Sequence, residues 1–247
     1  NIWENRDPRL RQTVLHPEDQ PYYMYGNNIP EDYQYPRVQG VTGGGQKTYT
    51  GYHIIKTFNR NGAYNTYNTS VTPAIILRFG EVLITLAEAK AELGTITQED
   101  LDATVNALRD RAGLPVEAHL ILGAEPVDPR YTAWHSDPLI IEIRRERRVE
   151  LFMEGFRYFD LLRWKWGKML ENKDYGMRWD EANSSRFDST GTVTVQTSDV
   201  DGVPYLDVYK GTDYETPVFD ESKHYLWPIP INTISQNPAI GQNPGWE

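Results

Sequence analysis

The stretch RRERRVELFMEGFRYFDLLRWKWG, Arg144 to Gly167, decides the fold. Projected at about 100° per residue from Leu139 onward, it leaves no clean polar face. Leu139, Ile141, Ile143, Val149, Leu151 and Phe152 fall all round the axis, and the charges do too. Such a helix is surrounded by protein. Glu146, Glu150 and Glu154 follow one another at i+4 spacing, with Arg147 beside them and Arg144 and Arg148 on the adjoining strip. Guanidinium–carboxylate pairing is therefore available within the helix and to its neighbours, and the arginines are expected to be occupied. A DNA-reading helix would leave them free, and a glycosidase carboxylate pair would need an open cleft. Asp137 and Pro138 open this helix, Gly155 interrupts it, and Phe156, Phe159, Leu162 and Trp166 mark a second helical segment ending near Gly167.

Working outward, Thr72 and Pro73 read as N-cap and first residue of a helix. Ile75, Ile76, Phe79, Leu83, Leu86 and Ala87 recur at helical spacing to a stop at Gly94. Thr97 with Asp100 forms a capping box, and Leu101, Val105, Leu108 and Ala112 carry an apolar stripe to Gly113 and Pro115. The short link predicts an antiparallel pair. Residues 73–167 are thus the expected helical core, flanked by loop-rich segments 1–72 and 168–247. TGTVTVQT and VPYLDVYKG predict a hairpin near 192–210, with a turn from Asp199 to Gly202. Prolines at 228, 230, 238 and 244 predict that the end of the chain lies extended over the body.

Composition excludes several function classes. A chain of 247 residues is expected to hold one large core. A net charge of −10 opposes nucleic-acid binding, which is driven by counterion release to excess Lys and Arg. No apolar run approaches the roughly 20 residues that span a bilayer. Without cysteine there are no disulfides, thiolate metal sites or cysteine nucleophiles. GVTGGGQKT has two glycines at P-loop spacing, but Gln46 intrudes before Lys47, and no buried strand precedes it. The five histidines are scattered and no GxSxG elbow occurs, so the sequence calls for no metal, cofactor or catalytic residue.

The landmarks NRDPRL, ILRFGEVLITLAEAKAELG, NALRDRAGLP, RRERRVELFMEGFRYFDLLRW, YLWPIP and QNPGW come in the order and spacing of one family. The chain resembles the C-terminal half of SusD/RagB-type nutrient-binding outer-membrane lipoproteins. That resemblance implies a mostly α fold, a divergent tetratricopeptide-like right-handed helical stack with long loops and a small β element. It implies one SusD/RagB-like domain over 1–247, with further helix pairs and a lipid-anchoring cysteine upstream of this chain. A stack lacking those pairs is expected to expose an apolar face. The family further implies a place on the outer-membrane surface of a Gram-negative cell. There it would capture oligosaccharides, or peptides in some branches, and deliver them to a SusC-like TonB-dependent transporter without catalysis. A glycan-degrading enzyme and a scaffold that binds only protein are the competing readings.

Sugar rings lie flat on aromatic faces while their hydroxyls need polar partners, so a glycan platform wants exposed Tyr or Trp beside Asn, Asp or Arg. The first long loop has that mixture. Tyr22, Tyr23 and Tyr25 precede Asn27 and Asn28, and Tyr33 and Tyr35 adjoin Asp32 and Arg37. Trp134 in the Pro-rich loop before the Arg/Glu helix completes the candidate glycan-binding set. Trp164, Trp166 and Trp227 are expected to be buried packing residues.

Overall fold

The computed structural model describes residues 2–16, 22–23, 30–31, 38, 48, 50–59, 64, 71–184, 193–199 and 201–247. The chain is mostly helical and divides into two compact units, Asn1–Tyr35 with Tyr52–Gly155, and Pro36–Gly51 with Phe156–Glu247.

The first unit opens with helix α1, Arg9–Thr13, and a two-residue ladder of β1, Tyr22–Tyr23, against β2, Pro30–Glu31, with Tyr22 opposite Glu31. Helix α2, Phe79–Glu92, ends before Gly94, whose positive φ makes the predicted stop. Helix α3, Gln98–Leu101, starts on the predicted capping box. The Thr97 hydroxyl accepts from the Asp100 N–H, and the Asp100 carboxylate accepts from the Thr97 N–H. It runs through a π turn, Asp102–Asn106, into α4, Ala107–Ala112, closed by left-handed Gly113. Helix α5, Pro138–Glu150, is capped by the Asp137 carboxylate, which accepts from the Leu139 N–H. Helix α2 packs against α5 and the π turn. Ile84, Leu101, Val105, Leu108, Leu120 and Ile143 are buried there. Buried Asn106 holds Leu120 by both backbone groups, so its amide is satisfied inside the core.

The expected start of α2 at Thr72 and Pro73 is wrong: the helix begins six residues later, at Phe79 with Arg78 as its N-cap. Arg78 stays extended at φ −141° because its guanidinium is committed to the Glu150 and Glu154 carboxylates and to the Glu150 carbonyl. Thr72 donates instead to the Tyr64 carbonyl, and Ile75, Ile76 and Leu77 are exposed. Gly80 makes room for this arrangement, since a Cβ there would collide with the Arg78 guanidinium and lie 3.0 Å from Glu150 Oε1.

In the second unit, α6, Arg157–Arg163, follows the joint at Gly155, and a 3-10 turn, Gly167–Glu171, follows α6. Strands β3, Val195–Thr197, and β4, Pro204–Leu206, pair antiparallel with Gln196 opposite Tyr205, inside the predicted hairpin span. Val38, Trp179 and Leu206 form a small core against which Met177 packs. Trp164 and Trp166 are buried as expected, their rings 5.3 Å apart. Two expectations about the tail fail. Between Pro230 and Pro238 there is room for one short helix, α7, Ile231–Gln236, rather than extended chain. Trp227 is 67% exposed, not buried. Asn243 Nδ2 donates to the Trp227 carbonyl at 2.7 Å, so the backbone is fixed while the ring turns outward beside Tyr158.

Candidate functional site

The Arg/Glu helix is a scaffold held from several sides of the first unit. Glu146 receives Arg9 and Arg109, the latter at 3.0 Å, and Glu142 receives Arg109 at 2.6 Å. Three guanidiniums converge on Glu150: Arg9 at 3.0 Å, Arg78 at 2.5 Å and Arg111 at 2.7 Å. Glu154 takes Arg78 and Lys56, each at 2.6 Å. Burial pulls Glu150 and Glu154 upward, but bonds from Arg78, joined at Glu154 by Lys56, outweigh it and hold both below the usual carboxylate range. For Arg9 burial acts downward, and hydrogen bonds to Asp7 and Glu146 push it further upward. Carboxylates locked ionised in this way cannot serve as general acids, because that role needs a raised pKa. Of the helix's own arginines that were expected to be occupied, Arg144 pairs with the Glu92 carboxylate at 2.7 Å, whereas Arg147 donates to the Thr85 hydroxyl and Arg148 to the Tyr131 hydroxyl, each at 3.0 Å.

Of the six predicted site residues, Tyr22 and Tyr23 share strand β1, and Tyr25, Tyr33 and Tyr35 lie outside the described residues. Trp134 is half-buried in the turn that leads to α5. The structure adds a neighbour that the sequence reading missed. Tyr131 is half-buried in the same turn, its carbonyl accepting the Trp134 N–H at 2.8 Å. Its hydroxyl accepts from exposed Arg148 of α5 at 3.0 Å, and the Arg130 guanidinium lies 5.7 Å from its ring centre. Arg130 in turn pairs with Asp128 at 2.6 Å, and that bond holds the Asp128 carboxyl below its usual range. Two aromatic residues, Arg130 and an ionised carboxylate thus share one short surface turn, and Arg148 of α5 reaches it through the Tyr131 hydroxyl. That mixture can stack on a sugar ring and hydrogen-bond its hydroxyls. The signal in the sequence was Arg148, a solvent-facing guanidinium on an otherwise buried helix.

A second feature lies in the same unit. A groove of about 580 Å³ is floored by Ile54, Phe58, Ile75 and Met153 and edged by Lys56 and Glu154. Thr57 and Met153, both lining it, hold positive φ of 68° and 63°. For a β-branched residue that is an outlier whose strain the surrounding structure must maintain. Lys56 Nζ already donates to Glu154 and to the Glu150 and Phe152 carbonyls. What the groove offers is therefore shape and a mixed polar and apolar surface rather than free charge.

Together these features define a helical scaffold that carries aromatic loops. The chain belongs to the SusD family, whose model matches residues 1–246. It is similar to a SusD-like protein of Bacteroides ovatus, 27% identical over 217 residues that make up 85% of this chain and 34% of that relative. It is also similar in structure to a SusD-like carbohydrate-binding protein from Bacteroides fragilis, with a TM-score of 0.64 and 25% identity over 96% of this chain and 42% of the other. The chain thus spans about a third to two fifths of the length of these relatives.

Proposed function

We propose that this protein binds oligosaccharides at the outer-membrane surface of a Gram-negative cell and passes them to a SusC-like TonB-dependent transporter, without cleaving them. The observation that carries the reading is the SusD family match across residues 1–246, supported by a structural neighbour described as carbohydrate-binding. In this reading the two units act as one SusD/RagB-like domain, a lipid anchor holds the protein to the membrane, and the glycan lies on Tyr22, Tyr23, Tyr25, Tyr33, Tyr35 and Trp134. Tyr131 and Arg148 join that set through the geometry of the Trp134 turn. Non-catalysis is supported by the carboxylates of α5, each of which is already held by at least two guanidiniums.

The experiment is a glycan and peptide array with the full-length natural protein, followed by calorimetry on the best ligand. Binding of a soluble glycan is expected, and incubation with labelled oligosaccharides is expected to leave the number of reducing ends unchanged. New reducing ends would overturn the binding-only reading. Peptide hits without glycan hits would move the protein to a peptide-capturing branch. Replacing Tyr22, Tyr23 and Tyr25 together by Ala should abolish binding, and so should Trp134→Ala with Tyr131→Ala. If affinity is unchanged in both, the site lies elsewhere, with the groove beside Thr57 as the next place to mutate.

A further inference from the structure

Several arginines of the first unit hold a carboxylate in the same way. Arg9 donates through Nε and Nη2 to Asp7 at 3.0 and 2.6 Å, and Arg78 to Glu154 at 2.6 and 2.8 Å. Arg130 does the same to Asp128 at 2.9 and 2.6 Å, and Arg145 to Glu142 at 2.8 and 2.6 Å. The Nε–H and Nη2–H groups lie side by side on one edge of the planar guanidinium, so they meet both oxygens of a carboxylate at once. Arg148 breaks the pattern. Its side chain is exposed and Nη1 donates to the Tyr131 hydroxyl at 3.0 Å. Among the described residues its Nε and Nη2 have no partner, so the edge that its neighbours close on a carboxylate stands open to solvent. That edge is also held in place. The Tyr131 N–H donates to the Asp128 carbonyl at 3.1 Å, and the Tyr131 carbonyl accepts from the N–H groups of Trp134 and His135 at 2.8 and 3.2 Å. A long side chain tied at one nitrogen to a fixed phenol has less freedom to lose when its opposite edge binds.

We infer that Arg148 is a specificity-determining residue of the Tyr131 and Trp134 site, and that the oligosaccharide it selects is acidic, with the carboxylate of a hexuronic acid on the Nε and Nη2 edge. The inference rests on the glycan reading above and names the ligand class of that site. A carboxylate has the planar pair of oxygens that this edge takes in Arg9, Arg78, Arg130 and Arg145. On a hexuronic acid it is attached directly to the ring, so a ring anchored there stays beside Tyr131, where aromatic stacking and hydroxyl bonding are on offer. The acid of the same turn, Asp128, is neutralised by Arg130 and leaves Arg148 uncompensated. The net charge of −10 repels anions at a distance, but charges more than about 8 Å apart are screened at physiological salt, so the selection is local. A neutral sugar offers the edge only uncharged acceptors, and such bonds are roughly half as strong as charge-assisted ones.

Calorimetry on the full-length natural protein tests this with tetrasaccharides of galacturonate and of glucuronate, each compared with its counterpart in which every carboxyl is reduced to a primary alcohol. One acidic form should bind about tenfold more tightly than its reduced counterpart, and the advantage should shrink as salt is raised. Equal affinity, or preference for the reduced forms, would overturn the inference and leave the glycan reading standing. Binding of none of the four while other glycans bind on the array would do the same, whereas an array without glycan hits would overturn both. In Arg148→Gln the ratio of acidic to reduced affinity should fall to about one. In Arg148→Lys, which keeps the charge but not the paired edge, it should fall to a few-fold. If the glutamine variant binds too weakly to measure, the lysine variant decides, and an undiminished ratio there would overturn the role of the edge. Preference for a sulfated neutral tetrasaccharide over the acidic ones would place a sulfate ester on Arg148 and overturn the carboxylate assignment.

Discussion

Glu150 shows at the level of one side chain how the first unit is held together. Its carboxylate is buried and meets Arg9, Arg78 and Arg111. Replacing it by Ala leaves three guanidiniums facing one another, and should destabilise by about 3 to 5 kcal/mol in urea unfolding. Arg147→Ala is expected to cost less, about 1.5 to 3 kcal/mol, because that buried guanidinium donates to the neutral Thr85 hydroxyl and its removal strands no charge there. Arg111→Ala should cost under about 1 kcal/mol, since its side chain is half in water. Equal losses for Glu150 and Arg111 would show that the convergence carries no weight. The same groups set a pH dependence. Asp7, Glu150 and Glu154 all titrate below their ordinary values in the folded state, burial opposing the shift and their basic partners producing it. The folded protein therefore binds fewer protons than the unfolded chain in acid, and its stability rises with pH across that range. The contribution is complete above the ordinary glutamate value of 4.5 and is lost as pH falls through the lower folded values. The urea midpoint should be flat from neutral pH to about 5 and then drop. A midpoint still flat in stronger acid would exclude the coupling.

Individual helices separate what the sequence showed from what it concealed. Thr97→Ala removes one half of the capping box of α3 and should cost about 1 kcal/mol, measured by the shift in thermal midpoint. That box, the Asp137 cap, the Gly113 stop and the Gly155 joint were legible because each is settled within four residues of chain. The start of α2 was not. Arg78 is kept out of the helix by Glu150 and Glu154, 72 and 76 residues further on, and nothing near Thr72 records that competition. Ile75 and Ile76 completed a helical period in the sequence without being helical. Trp227 failed for a related reason: its backbone is held by a bond from Asn243, 16 residues away, and tail prolines say nothing about side-chain direction. In the candidate site, a motif-level search could find the aromatics. It could not find Tyr131 as their companion, because the Arg148 contact joins a turn to a helix 17 residues later.

For the molecule as a whole, the six ordered landmarks made the family legible where single motifs did not, and the match over residues 1–246 bears that out. The helical scaffold and the β3–β4 hairpin follow from it, whereas the ligand depends on loop side chains whose arrangement no local pattern dictates. A glycan in excess should stabilise the full-length protein with the logarithm of its concentration over Kd, by about 2.7 kcal/mol at a hundredfold excess. Differential scanning calorimetry with and without glycan measures this directly. The Tyr22, Tyr23 and Tyr25 triple variant should keep the unliganded midpoint and lose the ligand-induced rise. A variant that loses stability without ligand would place those tyrosines in the packing instead.

The ion network also orders events in time. Arg9, Lys56, Arg78, Arg109 and Arg111 all precede the carboxylates at 142, 146, 150 and 154 that neutralise them. A chain emerging from its N-terminus therefore presents Lys56, Arg78, Arg109 and Arg111 before the carboxylates that pair with them exist, while Arg9 has only Asp7 beside it until α5 arrives. Contacts that span up to 141 residues make the closure of the first unit a late and slow step. Until Glu154 has been made, the side chains that will be buried in pairs around α5 are only partly present, and the first unit stays open.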